Sequence, residues 1–274
     1  MTQSAPFIVA ACQTVSGTRV EDNLAAAGRL VAQAAESGAK LVALPEYFCL
    51  MGAADDDKVG IREPFDAARP AGPIQQFLSD TAARHGIWLV GGTVPLATDD
   101  PARVLNTTLV YGPAGELVAR YDKIHLFGFR KGEESYDESR TIVAGDVPAS
   151  FDAPFGRVGL SICYDLRFPE LFRALGDLRL IVLPAAFTYT TGSAHWEVLL
   201  RARAIENQCY VLAAAQGGKH ENGRRTWGHS MLIDPWGNVQ AVHAEGEGIA
   251  AGAIDLKMLD STRTNLPALK HRRM

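Results

Sequence analysis

The tightest constraint in the sequence is Gly159-Leu160-Ser161-Ile162-Cys163-Tyr164-Asp165-Leu166-Arg167-Phe168-Pro169-Glu170, where an apolar run gives way to a helix start. Residues 158–162 read as a short buried strand. Pro169 suits the first turn of a following helix, where its missing N–H is no loss. Cys163 therefore falls at the junction. If that helix aims its N-terminus at the sulfur, free backbone N–H groups and the helix dipole favour thiolate over thiol. A lone cysteine at a strand end is otherwise one more small buried apolar residue, and only suitable partners separate the two readings.

Two other stretches offer such partners. Residues 41–44 form an apolar strand that runs into Pro45 and Glu46, and Lys123 stands where the run Ile124-His125-Leu126-Phe127 begins. Burying either charge unpaired would cost on the order of several kcal/mol, so each is held just outside the core or set in a pocket. Taken singly they are strand-end surface charges. With Cys163 they supply a base, an oxyanion stabiliser and a nucleophile, the inventory of acyl transfer through a thioester.

In that order, Pro45-Glu46, Lys123 to Phe127 and Cys163 to Glu170 resemble the Glu-Lys-Cys signature of the nitrilase superfamily of carbon-nitrogen hydrolases. The likeness runs from Ala10-Ala11-Cys12-Gln13 to His271-Arg272-Arg273. Residues 191–210 and 228–237 are especially similar to the branch that hydrolyses deaminated glutathione. The resemblance implies an α/β fold, the four-layer αββα sandwich, as one domain over residues 1–274. It also implies a homodimer or higher homo-oligomer, built by helices of neighbouring subunits packing together, with the C-terminal tail at the interface.

The same resemblance implies roles for single residues. Glu46 becomes the general base, Cys163 the nucleophile, and Lys123 with the backbone N–H of Tyr164 the oxyanion donors. Glu138, in Tyr136-Asp137-Glu138-Ser139, becomes a second catalytic glutamate that orients the lysine and the substrate amide. Arg167 would bind the α-keto acid end of the substrate, whereas charge chemistry alone leaves a salt bridge to Glu170 equally open. Phe187 and Thr190 match the far wall of the substrate site. Glu133 and Glu134 read as surface charges.

The implied reaction starts with Glu46 accepting the thiol proton as sulfur attacks the amide carbonyl. Glu46 then protonates the departing ammonia and activates the water that cleaves the thioester, with no metal or organic cofactor required. Cys163-Tyr164-Asp165 is unlike the Cys-Trp-Glu context of true nitrilases, which disfavours nitriles. Deaminated glutathione is the first expectation for the small-molecule amide substrate. Omega-amidases acting on 2-oxoglutaramate share much of the signature and are the alternative, with other linear amides and N-carbamoyl compounds left open. A catalytically inactive binding module is expected to have lost one of Glu46, Lys123 and Cys163, and all three are present.

Composition narrows the partners. The 274 residues are 47% hydrophobic, enough to fill the core of one large α/β domain. Lys and Arg number 27 against 31 Asp and Glu, a net charge of −4, so no global basic field invites nucleic acid. No basic-then-apolar leader and no apolar run near the ~20 residues of a membrane span is present, so a soluble, cytoplasmic protein is expected. Cys12, Cys49, Cys163 and Cys209 are far apart and lack metal-ligand spacing, which favours reduced thiols over disulfides or zinc.

Periodicity predicts strands at 7–11, 40–44, 87–94, 106–111, 180–184 and 210–215, with helices over 20–36, near 74–85 and over 194–207. Gly112-Pro113-Ala114-Gly115 reads as the turn of a hairpin into residues 117–121. The Gly- and charge-rich residues 128–146 read as a long surface loop that shapes or covers the pocket. Asp55 to Lys58 read as a solvated loop, Gly246 to Ala251 as a turn, and His195 and His229 as structural. Asn106-Thr107-Thr108 matches a glycosylation acceptor and is set aside for want of a secretion signal.

Overall fold

The structure is a computed structural model that describes residues 7–132 and 134–273; Glu133 and the first six residues lie outside them. The chain opens with β1 (Phe7–Gln13), α1 (Val20–Glu36) and β2 (Leu41–Ala43), the expected β-α-β unit. The short α2 (Asp57–Gly60) and α3 (Pro73–His85) lead to β3 (Trp88–Val90), β4 (Val94–Ala97), β5 (Val104–Tyr111) and β6 (Leu117–Asp122). Next come β7 (Gly128–Lys131), β8 (Glu134–Asp137), a 3-10 turn at Glu138–Arg140 and β9 (Ile142–Val143). The second half holds β10 (Ser150–Ala153), β11 (Gly156–Leu160), a 3-10 turn at Cys163–Arg167, α4 (Pro169–Ala174), β12 (Leu180–Ala185), α5 (Tyr189–Asn207) and β13 (Tyr210–Ala215). It closes with β14 (Gly217–Lys219), β15 (Arg225–Trp227), β16 (Ser230–Ile233), β17 (Val239–His243), β18 (Gly248–Ile254), α6 (Leu256–Asn265) and a turn at Ala268–His271.

Two sheets result. One runs β18-β1-β2-β3-β5-β4, with β6 and β9 also on β5, and the other runs β10-β11-β12-β13-β16-β17. The period of two in β1 and β2 builds the layers. Val9, Ala11, Leu41 and Ala43 point into the core shared with the second sheet, among Val158, Leu160, Val182 and Leu212. Their neighbours Ala10, Cys12, Val42 and Leu44 point the other way, onto α1 and α3. On α1 the facing stripe is Asn23, Ala27, Leu30, Val31 and Ala34, a helical recurrence. Trp196 and Leu200 of α5 cover the far face of the second sheet. The order of layers is helix, sheet, sheet, helix: the four-layer αββα sandwich.

Several local expectations need correction. Residues 128–146 are not a plain loop: β7 and β8 pair as an antiparallel ribbon, Glu138–Arg140 forms a turn, and β9 joins the first sheet beside β5. Phe129 and Tyr136 pair across that ribbon, giving it an aromatic face that the charges mask in the sequence. The strand predicted over 87–94 is two strands, because the chain turns at Gly91 and Gly92, the latter at φ +56°. Helix α5 begins at Tyr189, five residues before the expected Ala194, since the Thr188 side chain caps it by accepting from the Thr191 N–H.

The turn at Gly92 shapes the site. A Cβ there would lie 2.2 Å from the carbonyl oxygen of Pro45, the residue before Glu46. Gly92→Ala is expected to destabilise the fold by at least about 2 kcal/mol, combining a left-handed backbone with that collision. Urea unfolding followed by circular dichroism checks it, and an unchanged midpoint would contradict this account.

Candidate active site

Glu46, Lys123 and Cys163 each follow the last residues of a strand. Glu46 comes after β2, Lys123 directly after β6, and Cys163 after β11, so two come from one sheet and one from the other. They meet at one mouth of the sandwich. Lys123 is fully buried, and its Nζ donates to Glu46 Oε1 at 2.8 Å and to Glu138 Oε2 at 2.7 Å and Oε1 at 2.9 Å. Glu46, 1% exposed, also accepts from Asn106 Nδ2 at 2.9 Å on Oε1 and from the Ala186 N–H at 3.0 Å on Oε2. Glu138 accepts from the Tyr47 hydroxyl at 2.9 Å and from the Phe127 N–H at 2.7 Å. Every oxygen of both carboxylates is engaged, which is the condition for keeping them charged away from water.

The charge state follows from that arrangement. Burial alone would strip the Lys123 proton, but the carboxylates of Glu138 and Glu46 reverse this and raise its pKa above the ordinary lysine value. Burial likewise pushes the Glu138 carboxyl up, and the ammonium, the Phe127 amide and the Tyr47 hydroxyl bring it below the usual carboxylate range. Cys163 goes the opposite way from the sequence expectation of a favoured thiolate. Burial, then the Glu46 carboxylate, push its thiol well up, and Lys123 opposes them without prevailing. A thiolate would be a third negative charge around one cation. The Cys163 side chain is therefore held toward the thiol form.

The backbone around Cys163 also differs from the expected single helix. Cys163 adopts φ +48°, a left-handed conformation that costs a non-glycine residue about 1–3 kcal/mol, and it opens a five-residue 3-10 turn separate from α4. Asp165, fully buried, holds that turn. Its Oδ2 accepts from the Ile162 N–H at 2.8 Å and the Tyr121 hydroxyl at 2.7 Å, and its Oδ1 accepts from the His125 N–H at 3.1 Å with His125 Nδ1 at 2.7 Å. Tyr121 and His125 flank Lys123, so one carboxylate ties the cysteine turn to the lysine segment. Tyr164 is the second residue of the turn, where backbone N–H groups have no carbonyl behind them.

A narrow recess at the sulfur is lined by Cys163, Tyr164, Arg167, Phe187, Phe127, Ala186 and two threonines, Thr188 and Thr191. It holds about 10 Å³, room for about one water. Arg167 makes no ion pair with Glu170. Its guanidinium lies 5.4 Å from the Phe187 ring and 5.7 Å from the Tyr164 ring, and its Nη1 is 3.2 Å from His195 Nδ1. Thr190 is outside the recess, donating its hydroxyl to Glu134 at 2.9 Å, because the helix turns it away while Thr188 and Thr191 face inward. Among the described residues no cluster of three or more His, Cys, Asp or Glu is arranged to hold a metal ion, and no helix is long and apolar enough to cross a membrane.

Of the residues singled out in the sequence, the structure brings together Glu46, Lys123 and Glu138 and places Arg167 and Phe187 in the recess with Cys163; convergence in space was not readable from the sequence alone. Sequence reasoning missed Asn106, Tyr47, Asp165 and the Ala186 amide. Asn106, set aside as a glycosylation acceptor, is 3% exposed and holds the Glu46 carboxylate. A polar residue inside the apolar strand β5 was the available signal.

Comparison with known proteins gives the family. The profile of the carbon-nitrogen hydrolase family matches residues 8–264. A deaminated glutathione amidase from Yersinia enterocolitica is 41% identical over 270 residues, covering 97% of this chain and 92% of that enzyme. The human omega-amidase NIT2 is 39% identical, covering 97% of this chain and 95% of that one. The crystal structure of Saccharomyces cerevisiae Nit3, a nitrilase-superfamily member, superposes with a TM-score of 0.87 at 31% identity over 99% of this chain and 98% of that one. With such agreement along nearly its whole length, the chain belongs to the carbon-nitrogen hydrolase family of the nitrilase superfamily and is a hydrolase of amide C–N bonds.

Proposed function

We propose that this amidase hydrolyses the linear amide of a small 2-oxo acid, deaminated glutathione first, through a thioester on Cys163. The observation that carries the reading is the buried Glu46-Lys123-Glu138 network beside Cys163, whose thiol pKa is pushed up by burial and by Glu46. Glu46 accepts the proton as Sγ bonds to the carbonyl carbon and the C=O pair moves onto oxygen. That oxyanion is held by the Tyr164 N–H and by Lys123, which frees one of its two contacts to Glu138; such donors contribute on the order of 10²–10³ each in rate. Glu46 passes the proton to nitrogen as the C–N bond breaks, then takes one from the water that cleaves the thioester, and the thiol is restored. Arg167, over the Phe187 ring, binds the carboxylate of the 2-oxo acid. No cofactor enters the scheme.

The similarity to human omega-amidase supports a second substrate, 2-oxoglutaramate. Its leaving group is ammonia. From deaminated glutathione the departing nitrogen is instead the amine of cysteinylglycine, a correction to the ammonia step expected from sequence, and both reactions share 2-oxoglutarate as the acid product. The same reading makes the working form a cytoplasmic homodimer or higher homo-oligomer. The exposed Val198 and Ile205 on α5 support helix packing between subunits.

Release of 2-oxoglutarate from the two substrates, assayed side by side, tests the assignment: preference for deaminated glutathione is expected, and preference for 2-oxoglutaramate makes the protein an omega-amidase. Cys163→Ala and Glu46→Gln should each remove turnover, by about 10³-fold or more, while leaving the circular dichroism spectrum unchanged; substantial residual activity in Cys163→Ala would sink the thioester. Iodoacetamide labelling of Cys163 in the free enzyme should be slow at pH 7 and rise about tenfold per pH unit below the raised thiol pKa. Fast, pH-independent labelling between pH 6 and 8 would mean a preformed thiolate.

A further inference from the structure

A second and larger pocket, about 330 Å³, opens beside the reaction centre and plays no part in the scheme above. That volume is within the range of small-molecule sites. Tyr47 lines it, and the Tyr47 hydroxyl reaches Glu138, the carboxylate that holds the catalytic lysine. Tyr136 lines it too, with its ring 5.6 Å from that of Phe127, which lines the Cys163 recess. The two spaces therefore share an aromatic wall.

The pocket is cationic. Lys58 and Arg224 line it against one carboxylate, Asp55 at the exposed rim. Among the described residues neither cation makes an ion pair. Lys58 Nζ donates to the Asp55 carbonyl and, at 3.1 Å, to the Thr141 hydroxyl, while the Arg224 guanidinium lies 5.1 Å from the centre of the Tyr136 ring. Asn222 ties the rim together, donating to the Gly52 carbonyl at 2.6 Å and accepting from the Arg224 N–H at 3.0 Å. Burial, the largest influence on Lys58, lowers its pKa, so the ammonium gains from an added anion. Two half-buried cations whose hydrogen-bond and ring partners are neutral, with the Asp55 and Glu138 carboxylates acting on Lys58 only as nearby charges outside any ion pair, suit a carboxylate.

We infer that this pocket is a second anion subsite, which takes the terminal carboxylate on the leaving-group side of a long amide substrate. The inference rests on the proposed 2-oxo acid amide chemistry and adds what separates its two substrates. The 2-oxo acid end is placed on Arg167, so the cysteinylglycine end of deaminated glutathione extends past the scissile bond and ends in a carboxylate. 2-Oxoglutaramate ends at the scissile nitrogen and has nothing to place there.

The test compares both substrates in the full-length protein with Arg224→Ala and Lys58→Ala. For deaminated glutathione kcat/KM should fall about tenfold, mainly through KM, while 2-oxoglutaramate stays within about twofold; Arg224→Lys should recover most of the loss. An equal loss on both substrates would show that these residues only support Glu138, and no loss on either would show that the pocket is unused; each overturns the inference. If the unaltered protein hydrolyses neither substrate, the proposed function fails, and the subsite is judged by calorimetric titration of cysteinylglycine. Weaker binding to Arg224→Ala than to the unaltered protein supports it, and equal or absent binding in both overturns it.

Discussion

The structure depends on one fully buried ammonium. Lys123 can remain charged inside the sandwich only because two carboxylates reach it from different parts of the chain, and neither carboxylate could be buried without it. That mutual requirement pulls together the end of β2, the end of β6 and the turn after the β7–β8 ribbon. The linkage is signed. Glu138, held below the usual carboxylate range, stabilises the fold above about pH 4.3, the unfolded carboxylate value, and that contribution is lost as pH falls through its depressed folded value. Lys123, raised, contributes fully below about pH 10.4 and loses that contribution only as pH climbs through its higher folded value. Between those limits the network is intact.

Asp165 is a second buried charge with a different task. It has no cation of fixed charge beside it and is satisfied by Tyr121, His125 and the Ile162 amide; hydrogen bonds to a charged group are worth about 1.5–3 kcal/mol each. Those bonds offset the left-handed backbone at Cys163. They also fix the distance between the cysteine turn and the lysine segment, because Tyr121 and His125 sit two residues either side of Lys123. The two sheets thus meet at the site through Asp165, Tyr121 and His125.

How much of this was legible depended on whether a residue's partner was local. The β-α-β opening and the Gly112–Gly115 hairpin turn follow from short-range pattern, and they appear where periodicity puts them. Glu46, Lys123 and Cys163 stood out because a charge or thiol at the end of an apolar strand needs a reason. Asn106 and Asp165 did not, since Asn106 is explained by Glu46 and Asp165, apart from the nearby Ile162 amide, by Tyr121 and His125, all 40 or more residues away. The ribbon at residues 128–137 was hidden by its charges: its aromatic face packs on Phe127, a contact no period reveals. Thr190 was one helical position from the recess, and only the start of α5 at Tyr189 decides which threonines face the sulfur.

On the proposed mechanism, a nucleophile that rests as a thiol calls for a glutamate, rather than the lysine alone, beside the cysteine. With Lys123 positive and Glu46 and Glu138 negative, the buried cluster already holds one excess negative charge, and ionising Cys163 ahead of attack would add another in a poorly hydrated space. If Glu46 takes the proton during attack, one negative charge leaves the carboxylate as one appears on the carbonyl oxygen. The total around Lys123 is then constant through the step, and the charge moves only a few bonds toward a cation already in place. A site organised in this way has little solvent to reorganise at the transition state. On the proposed mechanism the same balance would be spoiled by a preformed thiolate.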